Sequence, residues 1–286
     1  MRARARQLAS RGQEDRLRPR RRAASRLLRL EGSSPSLGAR ERNDKGSCPR
    51  ARKRIYMDSH RPRRSALFMP GSNKRALDKS RGLAADCIIM DLEDAVASDS
   101  KIAARSMVIK EIKRGGYGHR EIVVRVNGLA TMWGCDDVAA VACSGADAVL
   151  LPKVDGAEQL RDLQRLLLQH GAPSEMDVWC LIETPLGVIN AAEICRELSQ
   201  SHKLGGNALT TLCMGFGDLG TELHAPQVRG RHNFVTSAQL CLLAARAYGL
   251  RILDGVHQNL VRPHMALSCS AGLTSICPTT TSKLNW

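Results

Sequence analysis

The chain has 286 residues, 43% of them hydrophobic, enough for one sizeable α/β domain or two small ones. Its net charge of +15 suggests a nucleic-acid or membrane partner, but residues 1–56 carry 18 Lys and Arg against 5 Asp and Glu, so +13 belongs to that arm and only +2 to the rest. No apolar stretch reaches about 18 residues, which argues against a membrane-spanning helix, and the ten Cys form no C-x-x-C pair and no zinc-spaced cluster with His.

The arm comes first in chain order. It is rich in Arg, Ser, Gly and Pro, cannot bury enough surface to offset its chain entropy, and reads as a basic disordered segment over residues 1–58, with residues 1–56 read as upstream sequence before a working protein that begins at Met57. It lacks the apolar core of a secretory signal, and its acidic residues (Glu14, Asp15, Glu31, Glu41 and Asp44) weaken a transit-peptide reading. Nucleic-acid binding through Arg18 to Arg22 is a further reading. The near-neutral remainder and the scarcity of aromatic stacking residues argue against it. Cys87, Cys180 and Cys213 sit inside apolar runs as small hydrophobes, which fits a reducing cytoplasm.

From Arg64 onward short apolar runs alternate with helix-compatible stretches. The runs are Ala66–Gly71, Asp86–Asp94, Glu121–Asn127, Asp147–Lys153, Val178–Thr184, Leu209–Phe216 and Leu250–Val256. Between them, Ser72–Leu83 opens on the good N-cap residues Ser and Asn, and Ser98–Gly116 has apolar residues at helical spacing with Gly115 as a stop. Gly156–Gly171 and Ser237–Leu250 are the other two predicted helices. Near-continuous apolar strands alternating with helices predict a parallel sheet covered by helices. Seven strands exceed what most doubly wound sheets need and fall one short of an eight-stranded barrel.

Charged and turn-forming residues recur at one end of these strands: Pro70–Gly71, Asp91 to Asp94, Arg125 to Asn127, Lys153, Glu183 and Asp218. In α/β folds that end is where ligands bind. Glu183 and Asp218, closing two successive strands, suit a hard divalent cation such as Mg²⁺. Each residue also has a plainer reading: Leu92–Ala95 as an acidic helix start, Arg125 as a structural ion pair, Glu183 or Asp218 as a helix cap. The segment Gly215–Gly220 matches the dinucleotide pattern G-x-G-x-x-G, but it follows the sixth strand rather than the first, and Asp218 within that loop would repel a pyrophosphate.

Taken in order, the segments RRSALFMPGSNKRALDKS, IIMDLEDAV, VVRVN, VLLPKV, LIETPLGVINA and GFGDLG resemble the citrate lyase beta subunit and HpcH/HpaI aldolase family, which includes citryl-CoA, malyl-CoA and citramalyl-CoA lyases. The resemblance runs from about Arg63 to about Gln258. It implies a (β/α)8 TIM-type barrel, here ending after the seventh strand, with a lyase-like domain over residues 59–260. It implies Mg²⁺ held by Glu183 and Asp218, Arg125 on the substrate carboxylate, Arg75 and Lys79 near the CoA phosphates, and Asp91, Glu93 and Asp94 bordering the pocket. The implied reaction is cleavage of a carbon–carbon bond in a 3-hydroxyacyl-CoA to an acyl-CoA and an oxo acid, in a cytoplasmic homo-oligomer of the family's trimer type. A free keto-acid aldolase and a non-catalytic remnant that binds CoA or metal are the alternatives. Residues 261–286, rich in Ser, Thr, Cys and Pro, show no strand–helix alternation and no counterpart of the family's eighth strand or its late acidic residue.

Overall fold

The computed structural model describes residues 62–199, 206–228 and 230–256. The predicted basic arm and the segment 261–286 lie outside these residues. All seven expected strands form: β1 (Ala66–Pro70), β2 (Cys87–Asp91), β3 (Glu121–Arg125), β4 (Ala148–Leu151), β5 (Asp177–Ile182), β6 (Leu209–Met214) and β7 (Arg251–Leu253). They make one sheet in the order β1-β2-β3-β4-β5-β6-β7, every adjacent pair parallel. The result is a curled sheet of the TIM-barrel type with seven strands among the described residues, and β1 and β7 are its two edges.

The four predicted helices appear: α1 (Lys74–Ser80), α2 (Lys101–Arg114) and α4 (Ala157–Gln169) with shorter bounds, and α8 (Val235–Ala247) shifted to begin two residues before the predicted Ser237. Asn73 caps α1 by accepting from the Ala76 amide at 3.0 Å, and α2 stops at Gly115, whose φ of 72° suits glycine. Four further helices were not read from the sequence: α3 (Gly134–Ala142), α5 (Pro185–Ile189), α6 (Ala191–Leu198) and α7 (Phe216–Glu222). The last is a correction. The G-x-G-x-x-G segment is not a loop but the start of α7, with Asp218 in its first turn. An acidic residue is favoured there by the helix dipole.

The sheet's two faces carry different cores. Ile88, Met90, Val124, Val149, Val178, Cys180 and Leu212 belong to the large cluster that includes the buried residues of the helices. Cys87, Ile89, Val123, Leu150, Trp179, Leu181 and Cys213 belong to a smaller cluster of strand residues alone, which marks the concave inner face. Because side chains alternate along a strand, the sequence Cys87–Ile89–Asp91 continues that inner row, as does Val123–Arg125 and Trp179–Leu181–Glu183. The parallel register sets Pro70 beside Asp91 and Asp91 beside Arg125 at the C-terminal rim. At the opposite end Arg63 donates to both oxygens of Glu121, at 2.5 and 2.6 Å, and stacks 4.9 Å over Trp179. That end is therefore filled by side chains, and the open chemistry lies at the rim.

Candidate active site

The rim is built around two cations and five carboxylates. Asp91, at the end of β2, is fully engaged. Its oxygens accept from the Glu93 and Ala95 amides at 2.9 and 3.1 Å and from Arg125 Nε and Nη2 at 2.7 and 2.5 Å. It is a clamp on the following loop and on Arg125 rather than a group free to meet a ligand. The Leu92–Ala95 segment is not a helix start; it is a loop, and Lys101 and Asn127 pin it. Lys101 Nζ donates to the Leu92 and Glu93 carbonyls at 3.0 and 2.9 Å, and Asn127 Nδ2 to the Leu92 carbonyl at 2.9 Å. Asp137 on α3 holds Asn127 in turn, at 2.6 Å.

The pinned loop turns Glu93 inward and leaves Asp94 half exposed. Arg125 Nη1 lies 2.8 Å from Glu93 Oε2 and 3.5 Å from Asp94 Oδ2. The Glu93 contact lacks hydrogen-bond geometry, so Oε2 is a buried oxygen without a hydrogen bond. Burial raises the Glu93 pKa, helped by Asp94 and opposed by Arg125 and Lys153. Burial also works against the charge on Arg125, but Asp91, Glu93 and Asp94 outweigh it and hold the guanidinium protonated. With its bidentate edge on Asp91, Arg125 presents only its Nη1 edge to the rim.

Glu183 follows β5 and is 3% exposed. Thr184 caps α5 behind it, accepting from the Gly187 amide at 3.0 Å. Glu183 Oε1 accepts from the Lys153 backbone amide at 2.9 Å. Gly215, the residue after β6, makes the space for its other oxygen: a Cβ there would lie 2.6 Å from Oε2 and against the Glu183 Cβ. Burial, then the charges of Glu93 and Asp218, push the Glu183 pKa up to about 8, against Arg125 and the Lys153 amide. Glu183 thus stands buried among other carboxylates.

Asp218 reaches the same rim from α7. Its Oδ2 lies 3.3 Å from Lys153 Nζ, which also donates to Glu93 Oε1 at 3.1 Å and stands 3.9 Å from Asp94 Oδ1. Lys153 is the residue the sequence reading named at a strand end but left out of the site. The structure puts it at the centre, and the carboxylates hold its pKa above the ordinary value despite burial. Arg75 and Lys79 are not drawn into this cluster: they lie one turn apart on the exposed side of α1.

The donors are all oxygen and acidic in excess, with Glu93 Oε2 lacking a hydrogen bond and the Lys153 amide engaging Glu183 through Oε1. That set suits a hard cation. Among the described residues no three His, Cys, Asp or Glu side chains gather as a metal cluster. Among the described residues no helix is long and apolar enough to cross a membrane.

Comparison with known proteins gives consistent likenesses. The HpcH/HpaI aldolase/citrate lyase family model matches residues 64–282, and so reaches into the segment after residue 260 that the sequence reading set apart from the family. A (3S)-malyl-CoA thioesterase of Cereibacter sphaeroides is 47% identical over 196 residues, 68% of this chain and 64% of its own length. The citrate lyase subunit beta of Escherichia coli is 34% identical over 204 residues, 70% of this chain and 65% of its own. The chain thus spans just under two thirds of the length of these relatives. Among solved structures, protein CitE from Mycobacterium tuberculosis in complex with magnesium, acetoacetate and coenzyme A aligns with a TM-score of 0.60 at 27% identity, over 76% of this chain and 75% of that one.

Proposed function

The chain belongs to the HpcH/HpaI aldolase/citrate lyase family, and from that membership we propose that it is a Mg²⁺-dependent lyase that cleaves the carbon–carbon bond of a 3-hydroxyacyl-CoA. The observation that carries this reading is the meeting of Glu183, Asp218, Arg125 and Lys153 on one rim, from four different strands and their following turns. Magnesium and coenzyme A in the solved relative support it.

In this reading Glu183 and Asp218 hold the metal. Mg²⁺ bound there would supply Lewis-acid polarisation of a substrate oxygen. Arg125, through its Nη1 edge, takes the substrate carboxylate, and Asp91 keeps the guanidinium aimed and charged. Glu93 and Asp94 border the pocket. Arg75 and Lys79, just past the C-terminal end of β1, attract the CoA phosphates. The reaction breaks the bond between the carbinol carbon and the carbon next to the thioester. The hydroxyl loses its proton to give the oxo acid, and the α-carbon of the thioester gains one to give the acyl-CoA, with no net redox change.

A second reading is hydrolysis of the thioester, favoured by the 47% identical relative, a (3S)-malyl-CoA thioesterase. One incubation separates the two. With Mg²⁺ and (3S)-malyl-CoA, mass spectrometry is expected to find acetyl-CoA and glyoxylate. Malate and free CoA as the products would replace the lyase reading with the hydrolytic one. Binding of malyl-CoA with neither product pair would leave a non-catalytic protein.

A further inference from the structure

Lys153 is held at three points. It follows β4 and Pro152 with a φ of 51°, in the left-handed region that non-glycine residues seldom occupy. Such strain persists where the surroundings over-determine it, and it gathers at functional sites. Its amide donates to Glu183 Oε1, its carbonyl accepts from Gln159 Nε2 at 3.1 Å, and its ammonium spans Glu93 and Asp218. One residue therefore touches both carboxylates assigned above to the metal, one through its backbone and the other through its side chain.

We propose that the Lys153 ammonium is a resident counter-cation of the carboxylate rim, which a divalent ion displaces from Asp218. The inference rests on the reading of Glu183 and Asp218 as metal ligands and goes beyond it in assigning Lys153 a role. Five carboxylates crowd the rim, and Arg125 faces three of them, Asp91, Glu93 and Asp94, leaving Glu183 and Asp218 to a second cation. Without a second cation, Asp218 would be repelled from Glu93 and Asp94. Lys153 removes that repulsion and keeps Asp218 in place before any metal arrives. An ammonium and a divalent ion sharing Asp218 Oδ2 would repel each other, so the two compete for that oxygen. The Lys153 side chain is 47% exposed, so it has room to swing towards solvent. Its amide can stay on Glu183 while it does so, because the backbone is anchored separately. Lys153 is in this sense a positioning residue and sets the metal concentration at which the site fills.

The test is Mn²⁺ binding to the full chain, read as free Mn²⁺ by electron paramagnetic resonance, with circular dichroism confirming the fold. Lys153→Met, and Lys153→Gln as a second unbranched and uncharged variant, are each expected to bind Mn²⁺ about fivefold more tightly, a modest gain because both partners are partly solvated. Asp218→Asn is expected to weaken binding. In the Asp218→Asn background, Lys153→Met is expected to add nothing, because the contact it releases is already gone. A gain that persists undiminished in that background means a general field effect, and an unchanged or weaker affinity in both Lys153 variants means no displacement; either result overturns the proposal. If Asp218→Asn leaves Mn²⁺ affinity untouched, the metal-site reading itself fails and takes this one with it.

Discussion

At the residue scale, Glu183 depends on an absent atom. A Cβ on Gly215 would stand 2.6 Å from Glu183 Oε2, with buried backbone on either side. Gly215→Ala is therefore expected to push Glu183 off the rim and weaken Mn²⁺ binding by about tenfold or more, roughly the effect of misplacing a ligand by an ångström, while the far-ultraviolet dichroism stays native. Unchanged Mn²⁺ affinity in this variant would show that Oε2 is not a ligand. Glu183 and Asp218 were legible in the sequence because a charge at the end of an apolar run stands out. Lys153 was not, although its place after Leu150–Leu151–Pro152 was noticed. Its place depends on a left-handed backbone at a non-glycine residue and on a long side chain reaching back across the rim, and neither leaves a mark on local pattern. Asp91 and Arg125 were legible as rim residues, but their bidentate pairing follows from strand register, which a linear reading does not contain.

At the scale of elements, the β2–α2 loop is the part most dependent on a single side chain. Asp91 binds two loop amides and the Arg125 fork, and both members of the pair are buried. Asp91→Ala would leave Arg125 with only Glu93 and Asp94. It is expected to lower stability by about 3 kcal/mol in urea unfolding, as loss of one partner from a buried pair does; a change below about 1 kcal/mol would show that the clamp is dispensable. The α1–α2 contact offers a pH test. Glu111, on α2, is buried, which raises its pKa, but the hydrogen bond and charge of Arg81 with help from Arg114 override that and hold it below the ordinary value. The unfolded chain thus binds more protons here than the folded one. Its contribution is present above the ordinary glutamate range and is lost as pH falls through the depressed folded-state value. Glu111→Gln is expected to lower Tm at pH 7 and to flatten the acid limb of Tm against pH. An unchanged acid limb would count against the pair. The strands could be read because buried parallel strands are continuous apolar runs. The short helices α5, α6 and α7 could not. α5 is five residues starting on proline, and α7 is seven residues holding two glycines, so tertiary packing rather than propensity makes them helical.

At the scale of the whole molecule, charge and chemistry are divided along the chain. Residues 1–56 carry +13 of the net +15, while the rim carries an excess of carboxylates. Residues 57–286 alone are expected to lose retention on a polyanion column at low salt yet keep Mn²⁺ affinity within about twofold. Polyanion retention by that shorter chain would place a basic surface on residues 57–286. The parallel sheet sets every strand's C-terminal end on one side, so residues as distant in sequence as Asp91 and Asp218 stand on one rim. That one-sidedness was legible from the order of runs, and the family likeness agrees with it. The proposed CoA-thioester chemistry stands on Glu183 and Asp218 as the metal site. It is tested most directly by turnover of (3S)-malyl-CoA in Mg²⁺ by the full chain and by its Glu183→Gln and Asp218→Asn variants, with and without EDTA. Product is expected from the parent chain in Mg²⁺, none after EDTA, and a loss of at least about a hundredfold in both variants. Undiminished turnover by either variant, or by the parent chain in EDTA, would contradict it.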